Sequence, residues 1–391
     1  MQNLLTQYNG DQYIAIILGL ETNGLAVVRA LARSGVPVVI VETTQNARQP
    51  HLRTKYGIKF FLDSLPGLPL LDFLRRFPRK GVLFPTTDRQ VTWLSRNRDL
   101  LPAHIKLLMP SNETVKTLLD KALFFDFCEK NGVPLAPFRH VQAGDDIKQA
   151  AKGFRFPVII KTNRKVYMSR LEKAYIARSM TELVTLWKKI SSLYHVFIVQ
   201  EFIPGGDQTI FFCLQFIDSK NQQLLASFTG RKIRQWKPRC GGTASCEPVT
   251  MPKLHEITYE ILTKAGFWGI GSVEYKRDPR NGKFYVIEPT VCRTDFQEQI
   301  AIANGVNIPW IAYQNAVGIP AQPVIANGGE KAWMHIMNDR LAADYYRKQH
   351  QLSFWSWLYS LRKVRSFDLF SITDPGPSLA VFWQRLQKKF T

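Results

Sequence analysis

Apolar and polar positions follow two rhythms along this chain, and each predicts a different kind of element. Residues 13–18, 36–41 and 80–85 form strongly apolar stretches, which predicts parallel strands covered on both faces. Between the first two, Leu25, Val28, Leu31 and Ala32 recur at helical spacing until Gly35 stops them. Strand, helix and strand make a βαβ opening whose turn, residues 19–24, contains two glycines. A helix is expected from Ser111 through Asp120-Lys121 to Asn131-Gly132, with Leu118, Leu119, Ala122, Phe125 and Phe127 as its apolar content. Ser179-Met-Thr-Glu182 is a capping box before Leu183, Leu186, Trp187 and Ile190, an amphipathic helix. Residues 156–161, 196–200, 208–217 and 224–232 read as strands.

The most informative stretch lies further on, at residues 266–298. Two runs of β-formers, 272–275 and 283–287, flank Asp278-Pro-Arg-Asn-Gly282, a strong turn signal, so they read as an antiparallel hairpin. Pairing centred on Asn281 places Glu274 beside Glu288 on one face. Two facing carboxylates repel unless a cation lies between them, and Mg²⁺, which takes few carboxylates and shares substrate phosphates, suits that position. Arg293 follows and could hold an anion against such a metal. A solvated hairpin with two exposed acids is the competing reading, and the rest of the chain has to decide.

Length and charge narrow the choice. A chain of 391 residues should form more than one domain. The net charge of +21 suggests an anionic partner, but no Lys/Arg run dominates, so a nucleic-acid groove is not specifically indicated. Five cysteines without CxxC spacing argue for reduced thiols in a cytosol, and against a disulfide framework or a zinc site. No run of about eighteen apolar residues is present, so no spanning helix is expected.

Other positions gain interest against this background, each with a plainer alternative. The 19–24 turn has only two of the three glycines of a dinucleotide fingerprint, although Glu42 would suit a ribose hydroxyl; a nicotinamide enzyme is kept as an alternative. Thr86-Thr87-Asp88 sits at a strand's carboxyl edge, where open sheets bind ligands, and Asp88 would also cap the next helix. Lys161 closes a buried strand, either as a snorkelling stem or as a phosphate ligand. Glu201-Phe-Ile-Pro-Gly-Gly-Asp207 could hold an adenosine or simply bend. Residues 162–175 could be a flap over a phosphate or a solvated loop. Arg231, Lys232 and Arg234 precede Cys240-Gly241-Gly242, where backbone N–H groups could approach an anion.

Taken in order, the βαβ unit, the Asp120-Lys121 helix, the FPVIIK strand, QEFIPGGD, Glu274 and Glu288 resemble the ATP-grasp superfamily over about residues 13–320. Within it they resemble carboxylate–amine ligases related to D-aspartate ligase and carbamoyl-phosphate synthetase. The resemblance implies an α/β protein with α+β character in its nucleotide-binding part. A Rossmann-like domain (1–110) would precede a two-subdomain ATP-grasp fold (111–200 and 201–322) and a helical, basic extension (323–391). It implies ATP and Mg²⁺ (or Mn²⁺) as cofactors, Lys121 and Lys161 on the phosphates, Glu201 and Ile203 on the adenine edge and Asp207 on the ribose. Glu274 and Glu288 become the metal ligands, with Thr290 where the family has asparagine and Arg293 one residue later than the family's arginine. Residues 162–175 lack the family's glycine-rich flap, and Lys173 is the candidate there.

The implied reaction is phosphorylation of a small carboxylate by ATP, then attack by an amine to give an amide, ADP and phosphate. Lys161 and Arg293 would offset charge, and Arg231, Lys232 and Arg234 would hold the carboxylate. A kinase that stops at phosphoryl transfer and a non-catalytic nucleotide-binding protein are the alternatives. In the tail, residues 352–361 are aromatic-rich, and Leu379, Phe382, Trp383, Leu386 and Phe390 share a helical face beside Arg385, Lys388 and Lys389. That pattern suits a peripheral contact of residues 352–391 with an anionic membrane or a protein, and docking onto the core competes with it.

Overall fold

The computed structural model of the chain describes residues 2–8, 10–162, 174–326 and 328–390. Three sheets organise them. The first has five parallel strands in the spatial order Ile58–Leu62, Val38–Thr43, Ile14–Leu18, Gly81–Pro85 and Ile105–Leu107. Its central strand is buried throughout, as its apolar run requires. The helix Thr22–Arg33 packs so close to the first strand's end that a Cβ on Gly24 would lie 2.3 Å from the Gly19 carbonyl oxygen. Close packing, not a pyrophosphate, thus explains this glycine.

The second sheet is antiparallel, in the order Phe138–Gln142, Val196–Glu201, Val158–Thr162 and Ala174–Ala177. It packs its own core, including Val158, Ile160, Leu183, Trp187, Phe197 and Val199. The third sheet has eight strands. Its main path runs Phe284–Val291, Gly269–Arg277, Ile210–Ile217, Leu224–Trp236, Gly242–Pro248, Ala332–Met334 and Val364–Phe367, with Val324–Ile325 beside Leu224–Trp236. Two further cores each mix residues of the first and third sheets: Leu18 and Leu83 cluster with Val273 and Val291, and Ile17 and Phe84 with Phe216 and Phe228.

Three expectations change here. The helix expected through Asp120 is two helices, Asn112–Leu119 and Lys121–Lys130, because the Asp120 side chain accepts the backbone N–H groups of Ala122 and Leu123 and caps the second. Gly242 opens a strand instead of an anion-binding loop. The segment after residue 322 is not only helical. It adds three strands to the third sheet and is clamped by buried ion pairs, Arg29 to Asp374 at 2.8 Å and Arg234 to Asp339 at 2.7 Å.

Candidate active site

The hairpin brings its two acids together through its turn and a one-residue bulge. Asp278 N–H donates to the Lys283 carbonyl at 2.9 Å, and Gly282 takes the left-handed φ of 71° that closes the loop. The strands then run in register to bring Glu274 opposite Glu288, with a bulge just beyond them towards the turn. Ser272 faces Thr290, so Thr290 lies two residues beyond Glu288 on the same face. Lys232 arrives from the strand Leu224–Trp236, and its ammonium donates to both Glu274 carboxylate oxygens, at 2.9 and 3.0 Å. This lysine is 2% exposed, so the pair is shielded from water.

Glu274 and Glu288 line a cleft between the second and third sheets, together with Lys121, Lys161, Gln200, Glu201, Phe202, Ile203, Lys232 and Lys276. Capping by Asp120 puts Lys121 at the first position of its helix. A cation there opposes the helix dipole, an arrangement that favours a bound anion beside it. The Lys161 ammonium lies 5.5 Å from the Phe125 ring centroid and donates to Gln200 Oε1 at 2.9 Å in the cleft. Gln200 in turn donates to the Ala136 carbonyl at 3.2 Å, which fixes its orientation. Glu201 is buried and accepts the Arg155 backbone N–H at 2.9 Å and its guanidinium at 3.2 Å.

Lys276, Phe202 and Gln200 were missed in the sequence. Lys276 shares the inward parity of Glu274, two residues earlier, and that parity is the signal that could have found it. Its ammonium lies 4.2 Å from the Phe202 ring centroid, and burial pulls its pKa down to about 8 against the opposing charge of Asp207. Arg239, Cys240 and Gly241 line the rim of the same cleft.

Several candidates are placed elsewhere. Both Asp207 oxygens are engaged by the protein: Gln235 donates from its backbone at 2.9 Å and from its side chain at 2.8 Å, and the Tyr346 hydroxyl donates at 2.7 Å. Burial, then the Asp207 charge, holds the Tyr346 phenol well above its ordinary pKa. Arg231 pairs with Glu247 at 2.5 Å. Arg234 spends its guanidinium on Asp339, which also accepts from Ser245 and Trp357, so it is a structural clamp and not a substrate contact. Arg293 is bound to Asp88 at 2.5 Å, at the seam where Asn23 donates to the carbonyls of Thr86 and Thr294. Asp88 is the first residue of its helix, and Thr87 is the cap. Glu42 is consumed by Leu20, Thr43 and Asn46, which removes the ribose role considered for it. Lys173 and most of the 162–175 loop lie outside the described residues.

The donor set fits a magnesium-type ion. Two facing carboxylates stand among cleft lysines, and no cluster of three or more His, Cys, Asp or Glu forms a self-sufficient metal cage among the described residues. A hard cation held by few protein ligands and completed by phosphate needs that arrangement.

No family model matches the sequence. The chain is 21% identical over 332 residues to D-aspartate ligase of Enterococcus faecium, covering 78% of this chain and 77% of that one. It is 22% identical to the carbamoyl phosphate synthase large chain of Thermotoga neapolitana, covering 81% of this chain but only 29% of that longer protein. Among solved structures, the ADP complex of N5-carboxyaminoimidazole ribonucleotide synthetase superposes with a TM-score of 0.62 at 15% identity, covering 81% of this chain and 80% of that one. Biotin carboxylase of Campylobacter jejuni also gives 0.62, at 17% identity, covering 81% and 73%. The architecture of a parallel sheet followed by two further sheets matches these neighbours: the chain has the ATP-grasp fold and is similar to carboxylate–amine ligases that carry it.

Proposed function

We propose that this protein is an ATP-dependent ligase that joins a small carboxylate to an amine, with release of ADP and phosphate. The observation that carries this reading is Glu274 standing opposite Glu288 in a cleft that also holds Lys121 and Lys161. Lys121 and Lys161 hold the nucleotide phosphates. Glu201 and Ile203 face the adenine edge, Glu201 being preset by Arg155. Asp207 reaches the ribose only after Tyr346 or Gln235 yields an oxygen. Glu274 and Glu288, with Thr290 on the same face, hold Mg²⁺ or Mn²⁺, which when bound offsets phosphate charge and aligns the terminal phosphoryl group.

With the metal and nucleotide in place, Lys232 exchanges Glu274 for the anionic substrate or a phosphate oxygen. A substrate carboxylate oxygen forms a bond to the terminal phosphorus of ATP as the bond to ADP breaks. The amine then attacks the resulting acyl carbon, phosphate leaves with its bonding pair, and the amine proton passes to solvent or to a basic group. The lobe built on the second sheet covers the cleft and keeps water from the acyl phosphate. Arg231, paired with Glu247, and Arg293, paired with Asp88, would hold the substrate carboxylate. Arg293 reaches the reaction only by leaving Asp88. The reaction draws on cytoplasmic ATP.

ADP release is the test, measured over a matrix of carboxylates and amines with Glu288→Gln as control. Amine-dependent ADP release that Glu288→Gln abolishes supports the reading. Release without any amine, or an unaffected variant, overturns it.

A further inference from the structure

The C-terminal segment folds its acids inward and leaves aromatics and cations outside. On the helix Phe354–Ser360, residues Phe354, Trp355, Leu358 and Tyr359 share one face, with Trp355 74% and Tyr359 65% exposed. Trp357 turns the other way and donates to Asp339 at 3.0 Å. On the helix Gly376–Phe390, Leu379, Phe382 and Trp383 line a second outward face, all more than half exposed. Ile336, Met337 and Leu341 continue it on the helix Ile336–Lys348. Contacts tie the three helices together: the Arg385 guanidinium touches the Met337 sulfur, and Arg347 stacks 5.4 Å above Phe354. Ile372, in the link between strand and last helix, is 85% exposed. So many large apolar side chains exposed on three helices in mutual contact are unusual on a protein that meets only water.

The charges sort by sign. Residues 336–391 contain nine Lys and Arg but four Asp. Asp339, Asp368 and Asp374 are buried against Arg234, His335 and Arg29, which leaves Asp344 as the exposed acid of this segment among the described residues. Arg340, Arg347, Lys348, Arg362, Lys363 and Arg365 are exposed, and Arg362 lies 3.6 Å over the Tyr359 ring. We infer that this face docks on the surface of an anionic phospholipid bilayer. Indole and phenol rings seat at the headgroup level, the leucines and isoleucines enter the acyl boundary, and the cations meet lipid phosphates and carboxylates. A nucleic acid would use the cations and stack on the rings, but it offers nothing to Leu358, Ile372 and Leu379. The strands and buried acids of the tail dock on the core, whereas these helix faces do not. This inference is independent of the ligase reading.

Co-sedimentation of the full chain with vesicles tests it, using phosphatidylcholine alone and with about one third phosphatidylserine. Wild type should pellet with the anionic vesicles, and added salt should weaken binding. Arg362→Gln combined with Lys363→Gln should weaken partitioning roughly 25-fold, about fivefold per cation. Trp355→Ser combined with Trp383→Ser should abolish pelleting at an unchanged melting temperature. Should the tryptophan variant fail to fold, the exposed cation pair still decides. Absence of pelleting on anionic vesicles, equal binding to both vesicle types, or binding unchanged in the cation variant overturns the inference. So does self-association or RNA binding through this face without vesicle binding.

Discussion

Replacing Glu298 with glutamine should stabilise the protein at neutral and alkaline pH but not in acid. Glu298 is the first residue of the helix Glu298–Ala303, is 1% exposed, and its Oε1 has no hydrogen-bond partner among the described residues. Burial, with a smaller push from the charge of Asp295, raises its pKa from 4.5 to about 8. The folded chain therefore keeps this proton to a higher pH than the unfolded chain does. The associated stability is complete below about pH 4.5 and is lost as pH rises through 8. At about 1.4 kcal/mol per pH unit, the loss is roughly 3 kcal/mol by pH 7 and approaches 5 kcal/mol above pH 8. Glu298→Gln removes this dependence, while its own fixed cost cancels when two pH values are compared. Thermal melts of both proteins at pH 5 and pH 8.5, followed by circular dichroism, read the difference directly. The variant's advantage should grow by several degrees between the two conditions. A melting difference that is the same at both pH values, or one that moves against the variant as pH rises, refutes the argument.

Other expectations follow from particular contacts. Lys121→Ala should weaken ATP binding as measured by calorimetry, through loss of a cation at the helix start in the cleft. Lys161→Met should raise the KM for ATP about 10- to 100-fold in an ADP-release assay, the loss of one charge-assisted hydrogen bond. Asp339→Ala leaves the Arg234 guanidinium buried without its counter-ion and should cost about 3–5 kcal/mol in urea unfolding. Tyr346→Phe removes one of the two donors to Asp207 Oδ2, leaving the Gln235 N–H, and should alter nucleotide affinity without altering the maximal rate, a split that steady-state kinetics resolves.

What could be read from the sequence was set by local geometry. Glu274 and Glu288 meet as expected, but by a route the pattern does not show: the turn sets Tyr275 opposite Val286, and a bulge that spends Ile287 then brings Glu288 opposite Glu274. Strand parity also fails for the cations of the neighbouring strand. Arg231, Lys232 and Arg234 look alike in sequence, yet they go to Glu247, Glu274 and Asp339, with register shifts between Lys232 and Gln235. The break at Asp120 was hidden because a capping aspartate inside an apolar helical pattern is indistinguishable from an ordinary helix residue until its side chain chooses the backbone. Tyr346 had no local signal at all, since it meets Asp207 across 139 residues. Arg293 meets Asp88 across 205, equally beyond the reach of a pattern.

The separation of the three cores has a mechanical consequence. Two of them bind the first and third sheets into one body, and the C-terminal ion pairs tighten it, whereas the second sheet keeps its own core and touches the shared one through Ile198 and Phe138. The chain enters and leaves that lobe beside Gly132 and Gly205, both in left-handed conformation at φ 66° and 106° and each followed or preceded by a proline within two residues. The links to the lobe and the cores that bind the other two sheets are thus written in different stretches of sequence, so substitutions at the links can change how the lobe is held over the cleft without disturbing those cores.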